Sequence, residues 1–547
     1  MTLSETLLIC VPALPVLAAV VISVVRPVGE RASRWGVRTA AASFAAAAVV
    51  AVVVAVNGPV AAVVEGGDGQ AIFGLYASRV TSLLGLLTTG VGLVVQSFAG
   101  RNLQGDLFAR RFFALASLLT AATTSVAFAA TLGLLCAAWI VAGLALAALV
   151  THRATWQPAR RSSRRTLRSL WVGDGALLVA TVVALVSVGE LDLRSPAGAA
   201  RELADASIPV LGGNVLWVVA VLLTIAGISR SALVPVHQWL PSTIAAPTPV
   251  SALLHAGVVN GAGMLLVRLA PVFGSSAAAT HLAFAAGAVT TCYASTVMLV
   301  RSDVKGNLAW STAGQMGFMT VQVAIGAFPA ALVHIIGHGM YKAALFLRAG
   351  SAVESHLHQR QRPPGHVVAR SVRLAGAMLV PAAALWAAYE VIHPHLSTAA
   401  GVLVTVFAWA TAARAVDGWL RSAPFRPVAA VATAALGAAA GVFAYIGGLT
   451  AVETYVIDAL PAEVPEPVGT AVLIATLVAI ALVAAVVSLT PGERMRGFRS
   501  RIYALALTSA PVASSLTTRG SSTGVAPVPE SRHLRPDLEL ARSTRSR

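Results

Sequence analysis

The sequence predicts an all-α polytopic membrane protein of about 15 transmembrane helices, and three observations carry that expectation. Apolar side chains make up 57% of the 547 residues and charged ones only 11%, with a mean hydropathy of +0.79, whereas about a quarter of the residues in soluble domains are charged. Apolar runs recur almost without interruption from Leu3 to Leu489. Basic residues gather in alternate loops, the pattern that the positive-inside rule produces. A soluble enzyme is excluded. The formal charge of +17 sits in loops and tail without basic-aromatic interleaving, which fits membrane topology and anionic lipid better than nucleic acid. Cys10, Cys136 and Cys292 are scattered through apolar runs and provide neither a disulfide framework nor a zinc spacing. No metal and no cofactor are expected.

Runs of roughly 17 to 25 apolar residues are long enough to cross the hydrocarbon core. They fall at about 4–25, 35–57, 76–97, 111–131, 132–151, 168–189, 213–233, 248–270, 279–300, 306–327, 328–348, 371–391, 399–415, 428–447 and 468–489. The first lacks a basic leader and an obvious small-residue cleavage site before Arg26, so a retained helix is expected rather than a signal peptide. One set of loops carries Arg26, Arg31 and Arg34, then Arg101, Arg110 and Arg111, Arg153 to Arg165, Arg301 and Lys305, Arg360 to Arg370, and Arg421 and Arg426. The opposite set carries Glu65 and Asp68, Glu190 and Asp192, and Glu453 to Glu466. That alternation places the N-terminus outside and the C-terminus in the cytoplasm of a multi-pass inner (plasma) membrane protein. Past Pro491 the composition shifts to Arg, Ser, Thr and Pro, read as a disordered basic cytoplasmic tail near anionic lipid.

His334, His338 and Lys342 carry the strongest chemical signal. Their i, i+4, i+8 spacing drifts about 40° per step on a helix, so all three share one face. Ionisable groups at membrane depth are expensive and face a bundle interior or a hydrated path. Histidine exchanges protons near neutral pH, and a desolvated lysine can shift far enough to do so. The functional reading is a proton or cation relay; the bland alternative is a polar seam that fixes helix packing. His255 follows Pro247 and Pro249, and Pro235, His237 and Pro241 lie upstream. Prolines at membrane depth interrupt helices and free backbone carbonyls, so a broken-helix site is expected, with His255 either relay or satisfied core residue. Asp174 lies inside a span and needs a partner, Arg230 or Arg168, in a structural ion pair or in the pathway. Asp303 and Lys305 read as a helix boundary.

These residues also carry a resemblance. Arg230-Ser-Ala-Leu-Val-Pro-Val-His-Gln-Trp-Leu-Pro241 and Ala-Pro-Thr-Pro-Val-Ser-Ala-Leu-Leu-His255 resemble the signature of the proton-conducting subunits of respiratory complex I and of Mrp-type antiporters. Within that superfamily, His255-Ala-Gly-Val-Val-Asn260, Ser311 to Met319 and His334-Ile-Ile-Gly-His338-Gly-Met-Tyr-Lys342 are similar to the DabB branch, the membrane subunit of an energy-coupled inorganic-carbon pump. The similarity is strong from about Phe98 to Ser351 and weak afterwards. It implies inverted five-helix repeats with discontinuous helices. It also implies a division into N-terminal helices (1–110), two antiporter-like halves (111–273 and 274–420), C-terminal helices (421–490) and the tail (491–547).

The implied function is cation translocation, with the proton as the cation, for carbon dioxide or bicarbonate uptake. The hydration chemistry would lie in a DabA-like partner resembling zinc carbonic anhydrases, so this chain would be a transporter subunit and not an enzyme. The alternatives are a chain L subunit of NADH-quinone oxidoreductase or an Mrp-type antiporter subunit, and, from another class, a non-conducting scaffold for the partner. The expected pathway residues are His255, His334, His338, Lys342, Arg230 and Asp174. Four positions depart from the family: Trp139 is followed by Ile140 rather than glutamate, Arg230 stands where lysine is common, and Ser78 and Trp171 replace charged residues. Arginine stays protonated in proteins, so position 230 cannot exchange protons and the second half is the better candidate for coupling.

Overall fold

Within a bilayer a chain must satisfy its backbone groups internally, and the apolar runs are accordingly helical. A computed structural model describes residues 1–489 except 68, 154, 209–212, 350–368, 395–397, 423–426 and 461–467, together with 500 and 504. The helices are α1 (Leu3–Val25), α2 (Gly29–Asn57), α3 (Arg79–Asn102), α4 (Ala109–Phe128), α5 (Leu132–Val150), α6 (Gln157–Val188), α7 (Pro196–Asp205) and α8 (Val215–Arg230). They continue as α9 (Trp239–Ser242), α10 (Thr248–Ala256), α11 (Gly261–Arg268), α12 (Ala270–Gly274), α13 (Ala277–Leu299), α14 (Val304–Ala324) and α15 (Phe328–Arg348). The last four are α16 (Arg370–Ile392), α17 (Thr398–Ser422), α18 (Pro427–Val456) and α19 (Thr470–Leu489).

Each of the fifteen predicted runs overlaps a helix, but among the described residues twelve spans are long and apolar enough to cross a membrane, with α10 and α11 counted as one. The difference lies in α8, α14 and α19. Helix α8 has 16 residues because the chain breaks after Arg230. Helix α14 is diluted by Lys305, Asn307, Gln315 and Gln322, and α19 has described side chains only as far as residue 480. Apart from residues 500 and 504, the tail read as disordered lies outside the described residues.

A hairpin of β1 (Val60–Glu65) and β2 (Ala71–Ala77) was not expected, since the third span was placed from residue 76; its strands pair antiparallel from Val60 opposite Ala77. Arg194 binds it to the loop after α6, reaching Glu65 at 2.5 Å, Asp192 at 2.7 Å and the Gly69 carbonyl at 2.8 Å. The arginine-rich loops meet elsewhere: Asp106, after α3, lies 3.3 Å from His152, after α5, and Arg111 donates to the Thr151 carbonyl at 3.2 Å. Ser78, where a charge was expected, instead caps α3 in a capping box with Thr81. Trp171 is exposed on α6.

The chain between α8 and α11 is discontinuous, as the proline pattern predicted. After Arg230 it runs through Pro235 to the short α9 and a 3-10 turn (Thr243–Ala245), and a second 3-10 turn (Val258–Asn260) separates α10 from α11. Side chains take up the carbonyls so freed. Trp239 Nε1 donates to the Ser229 carbonyl at 3.1 Å, Ser231 Oγ to that of Val259 at 2.6 Å, and Asn260 Nδ2 to that of Ala256 at 2.8 Å. Helices α13 and α14 approach closely at Gly287 and Gly317, where a Cβ on Gly317 would fall 2.6 Å from the Gly287 carbonyl oxygen.

Candidate functional site

Helix α15 places His334, His338 and Lys342 along one face, and α14 answers with a polar face of its own. Ser311, Gln315 and Gln322 stand at i, i+4 and i+11, about three turns on one side of the helix. His334 Nδ1 lies 3.0 Å from Gln322 Oε1, and His338 Nδ1 lies 2.9 Å from Gln315 Oε1. Lys342 Nζ donates to Ser311 Oγ and, at 3.4 Å, to the Leu308 carbonyl. The two imidazole rings are 5.9 Å apart. Lys342 is 1% exposed, and among the described residues no carboxylate pairs with it. A buried cation without an acid is an exception to the rule that intramembrane charges pair.

The helix break supplies the third wall. His338 Nε2 lies 3.2 Å from the His255 carbonyl, in the last turn of α10 before the second 3-10 turn. Gly339 lets α15 close on this point, since a Cβ there would meet the Ala256 carbonyl at 2.9 Å. The His255 ring turns away to stack on Phe346 with centroids 4.2 Å apart, and its Nδ1 has no hydrogen-bond partner. At this site it is the backbone of His255, not its imidazole, that contacts the histidine ladder.

Arg230 and Asp174 form a separate cluster. The guanidinium donates to Asp174 at 2.7 Å and to the Trp139 carbonyl at 2.9 Å, and it lies over the Trp139 ring 4.4 Å from its centroid. Both partners are largely buried, at 3% and 12% side-chain exposure, while Arg168 is exposed on the α6 surface. Two glycines make the room: a Cβ on Gly143 would lie 3.2 Å from the Asp174 carboxylate, and one on Gly261 would strike Arg230 itself. This is a charge held in a fitted socket.

Sequence reasoning missed Gln315 and Gln322 as partners of the histidines, although their spacing with Ser311 was a visible signal. It gave no role to Arg268, buried at the end of α11, which donates to the Val126 carbonyl at 2.6 Å and to that of Ala129. It thereby caps the C-terminus of α4, where a cation suits the exposed carbonyls.

Residues 129–388, just under half of the chain, match the family described as NADH:quinone oxidoreductase/Mrp antiporter, TM. A probable inorganic carbon transporter subunit DabB1 of Halothiobacillus neapolitanus is 35% identical over 279 residues, 51% of this chain and 50% of that protein. A probable DabB of Bacillus subtilis is 33% identical, over 51% of this chain and 54% of the relative. NAD(P)H-quinone oxidoreductase chain 5 of a Picosynechococcus species is 29% identical, over 57% and 46%. This chain thus matches about half the length of these curated relatives. In fold it is similar to a chain of the Mrp complex from a Dietzia species, with TM-score 0.59 at 21% identity, covering 93% of this chain and 60% of that one. Residues 129–388 are thus similar to the NADH:quinone oxidoreductase/Mrp antiporter transmembrane family, and the chain is similar over about half its length to DabB subunits.

Proposed function

We propose that this chain is the proton-translocating membrane subunit of an energy-coupled inorganic-carbon uptake complex, working with a DabA-like subunit that carries carbonic-anhydrase-like zinc chemistry. The observation that carries the reading is the buried Lys342, which lacks an acid among the described residues and lies in line with His338 and His334 across α15. The similarity to DabB subunits supports the substrate class. The arginine-rich loops support an inner-membrane orientation with the N-terminus outside, and the resemblance implies a division into halves at about residues 111–273 and 274–420.

The histidine contacts indicate how a proton is held. The His255 carbonyl only accepts, so His338 carries a hydrogen on Nε2. With a proton on Nδ1 as well, the ring is an imidazolium and the Gln315 amide offers Oε1 to it. When the Nδ1 proton leaves, that nitrogen becomes an acceptor, and the Gln315 amide turned over supplies its N–H. Gln322 serves His334 in the same way, and Ser311 Oγ accepts from the Lys342 ammonium. One proton enters the row and one leaves, so the charge of the site is restored after each transfer. Arg230 keeps its proton, and its socket makes the first half a fixed wall.

The test is to co-express the chain with the subunit that copurifies with it, in cells lacking carbonic anhydrase, and to follow uptake of labelled inorganic carbon. Uptake that requires both chains and collapses with a protonophore supports the reading. Uptake indifferent to the proton gradient, or absent with the copurifying subunit present, overturns it.

A further inference from the structure

Lysine is rare in this chain. Of its 39 basic residues 37 are arginine, and the two lysines, Lys305 and Lys342, both bear on the first turns of α14. Lys342 Nζ donates to the Leu308 carbonyl at 3.4 Å, one helical turn beyond Lys305 on the same helix. Lys305 Nζ reaches from α14 to the Ala246 carbonyl at 3.0 Å, in the extended link between the first 3-10 turn and α10. Arginine supplies a fixed charge wherever one is wanted, whereas lysine can also give up its proton. The chain therefore keeps its two exchangeable cations together.

The helix boundary itself is made by Asp303, which caps α14 through the Gly306 N–H at 2.7 Å and pairs with Arg301 at 2.6 Å. Lys305 takes no part in that pair. Among the described residues no carboxylate answers it, and its carbonyl contact leaves two ammonium hydrogens unused. Lys305 is half-buried at the end of α14 on the side of the arginine-rich loops, while Lys342 is enclosed. The buried His255 ring lies within charge–charge range of both lysines, and its Nδ1 has no hydrogen-bond partner. Two like charges sharing a poorly screened site disfavour one another, so a proton on one lysine discourages a proton on the other.

We propose that Lys305 is the port through which protons pass between Lys342 and the water on the side of the arginine-rich loops. This rests on the proton-translocating reading above and says where its protons enter or leave. The Lys305 ammonium breaks one N–H bond, the neutral Lys342 amine gains one, and Lys305 recovers its proton from water, so no charge accumulates. The His255 imidazole can accept at one nitrogen while releasing from the other, and it is the exchanging group that both lysines address. In the opposite direction the same bonds form and break in reverse.

The experiment follows labelled inorganic-carbon uptake by the co-expressed pair carrying Lys305→Arg, Lys305→His or Lys342→Arg, with copurification and melting temperature as controls for assembly. Arginine keeps the charge and a donor for the Ala246 carbonyl but holds its proton. Lys305→Arg is therefore expected to assemble and to lower the rate roughly a hundredfold, the worth of one positioned proton-transfer group. Lys305→His, which exchanges, should keep more of it. Arginine outperforming histidine marks a structural contact and overturns the port. Full uptake with Lys305→Arg beside loss with Lys342→Arg overturns the port and leaves the proton reading standing, whereas full uptake with both overturns that reading too. Wild type supplies a test that needs no variant, because two lysines leave the acylation sites of this chain unambiguous. A water-soluble amine-acylating reagent applied to the arginine-rich face of sealed vesicles should label Lys305 and not Lys342 by peptide mass. No label on Lys305 overturns the port whatever the variants do.

Discussion

Two buried cations of this protein, Arg230 and Lys342, are held in opposite ways. Arg230 has an acid at 2.7 Å, a carbonyl at 2.9 Å, an indole beneath it and two glycines shaped around it. Lys342 has a hydroxyl and a carbonyl, and the histidines next to it have amides. In the first cluster the counter-charge is permanent, so the side chain gains nothing by losing a proton. In the second, every partner is neutral, and the Ser311 hydroxyl and the Gln315 and Gln322 amides can serve either protonation state by reorienting. Under the proposed function the charge locked by a charge is structural, and the charge beside reorientable dipoles is the one available for exchange.

The largest effect should come from breaking the lock. Asp174→Asn or Arg230→Met alone leaves one buried charge uncompensated, a loss of about 3 to 5 kcal/mol, read as a lower melting temperature and reduced monodisperse yield in detergent. The double variant should recover much of that loss. Additive losses would show that the pair does not act as a unit and would dissolve the contrast between the clusters.

A smaller effect is expected in the second cluster. Gln315→Leu strips His338 Nδ1 of its partner, a loss of about 1 to 3 kcal/mol, and should slow uptake more than it lowers the melting temperature. Gln315→Glu supplies a fixed acid and converts the site to the locked type, so it should be as stable as wild type and slower in transport. A variant of either kind with full uptake would remove Gln315 from the relay.

The smallest effect sets a baseline outside both clusters. His152 lies in the loop after α5, 2% exposed, between Phe108, Phe112 and Asp106. Burial lowers its pKa below the ordinary value by more than the Asp106 carboxylate raises it. The unfolded chain therefore binds this proton more readily than the folded one, and stability falls as pH drops through the usual histidine range of about 6.5. His152→Phe should flatten the melting temperature between about pH 7.5 and 5.5. An unchanged slope would assign that pH dependence to other groups.

What the sequence revealed follows from what local spacing can encode. The ladder at 334, 338 and 342 is a property of one helix, and the broken segment around Pro235 and Pro249 follows from proline chemistry, so both were legible. Asp174 advertised a need for a partner, but the choice between Arg230 and Arg168 depends on how α6 and α8 cross and is not written in either helix. Gln315 and Gln322 share a helix face with Ser311, a spacing visible in the sequence, but nothing in α14 alone says that the histidines of α15 are their partners. The hairpin at 60–77 was hidden because its apolar strands continue the hydropathy of the flanking helices.

The central contrast is tested most directly by comparing Lys342→Arg with Asp174→Asn/Arg230→Met in the labelled inorganic-carbon uptake assay, with copurification of the partner as the control for assembly. Arginine preserves charge and hydrogen bonding at position 342 but does not exchange protons. Lys342→Arg should assemble normally and lose gradient-driven uptake, while the double variant, where it folds, should retain it. Full uptake by an assembled Lys342→Arg complex would contradict the account.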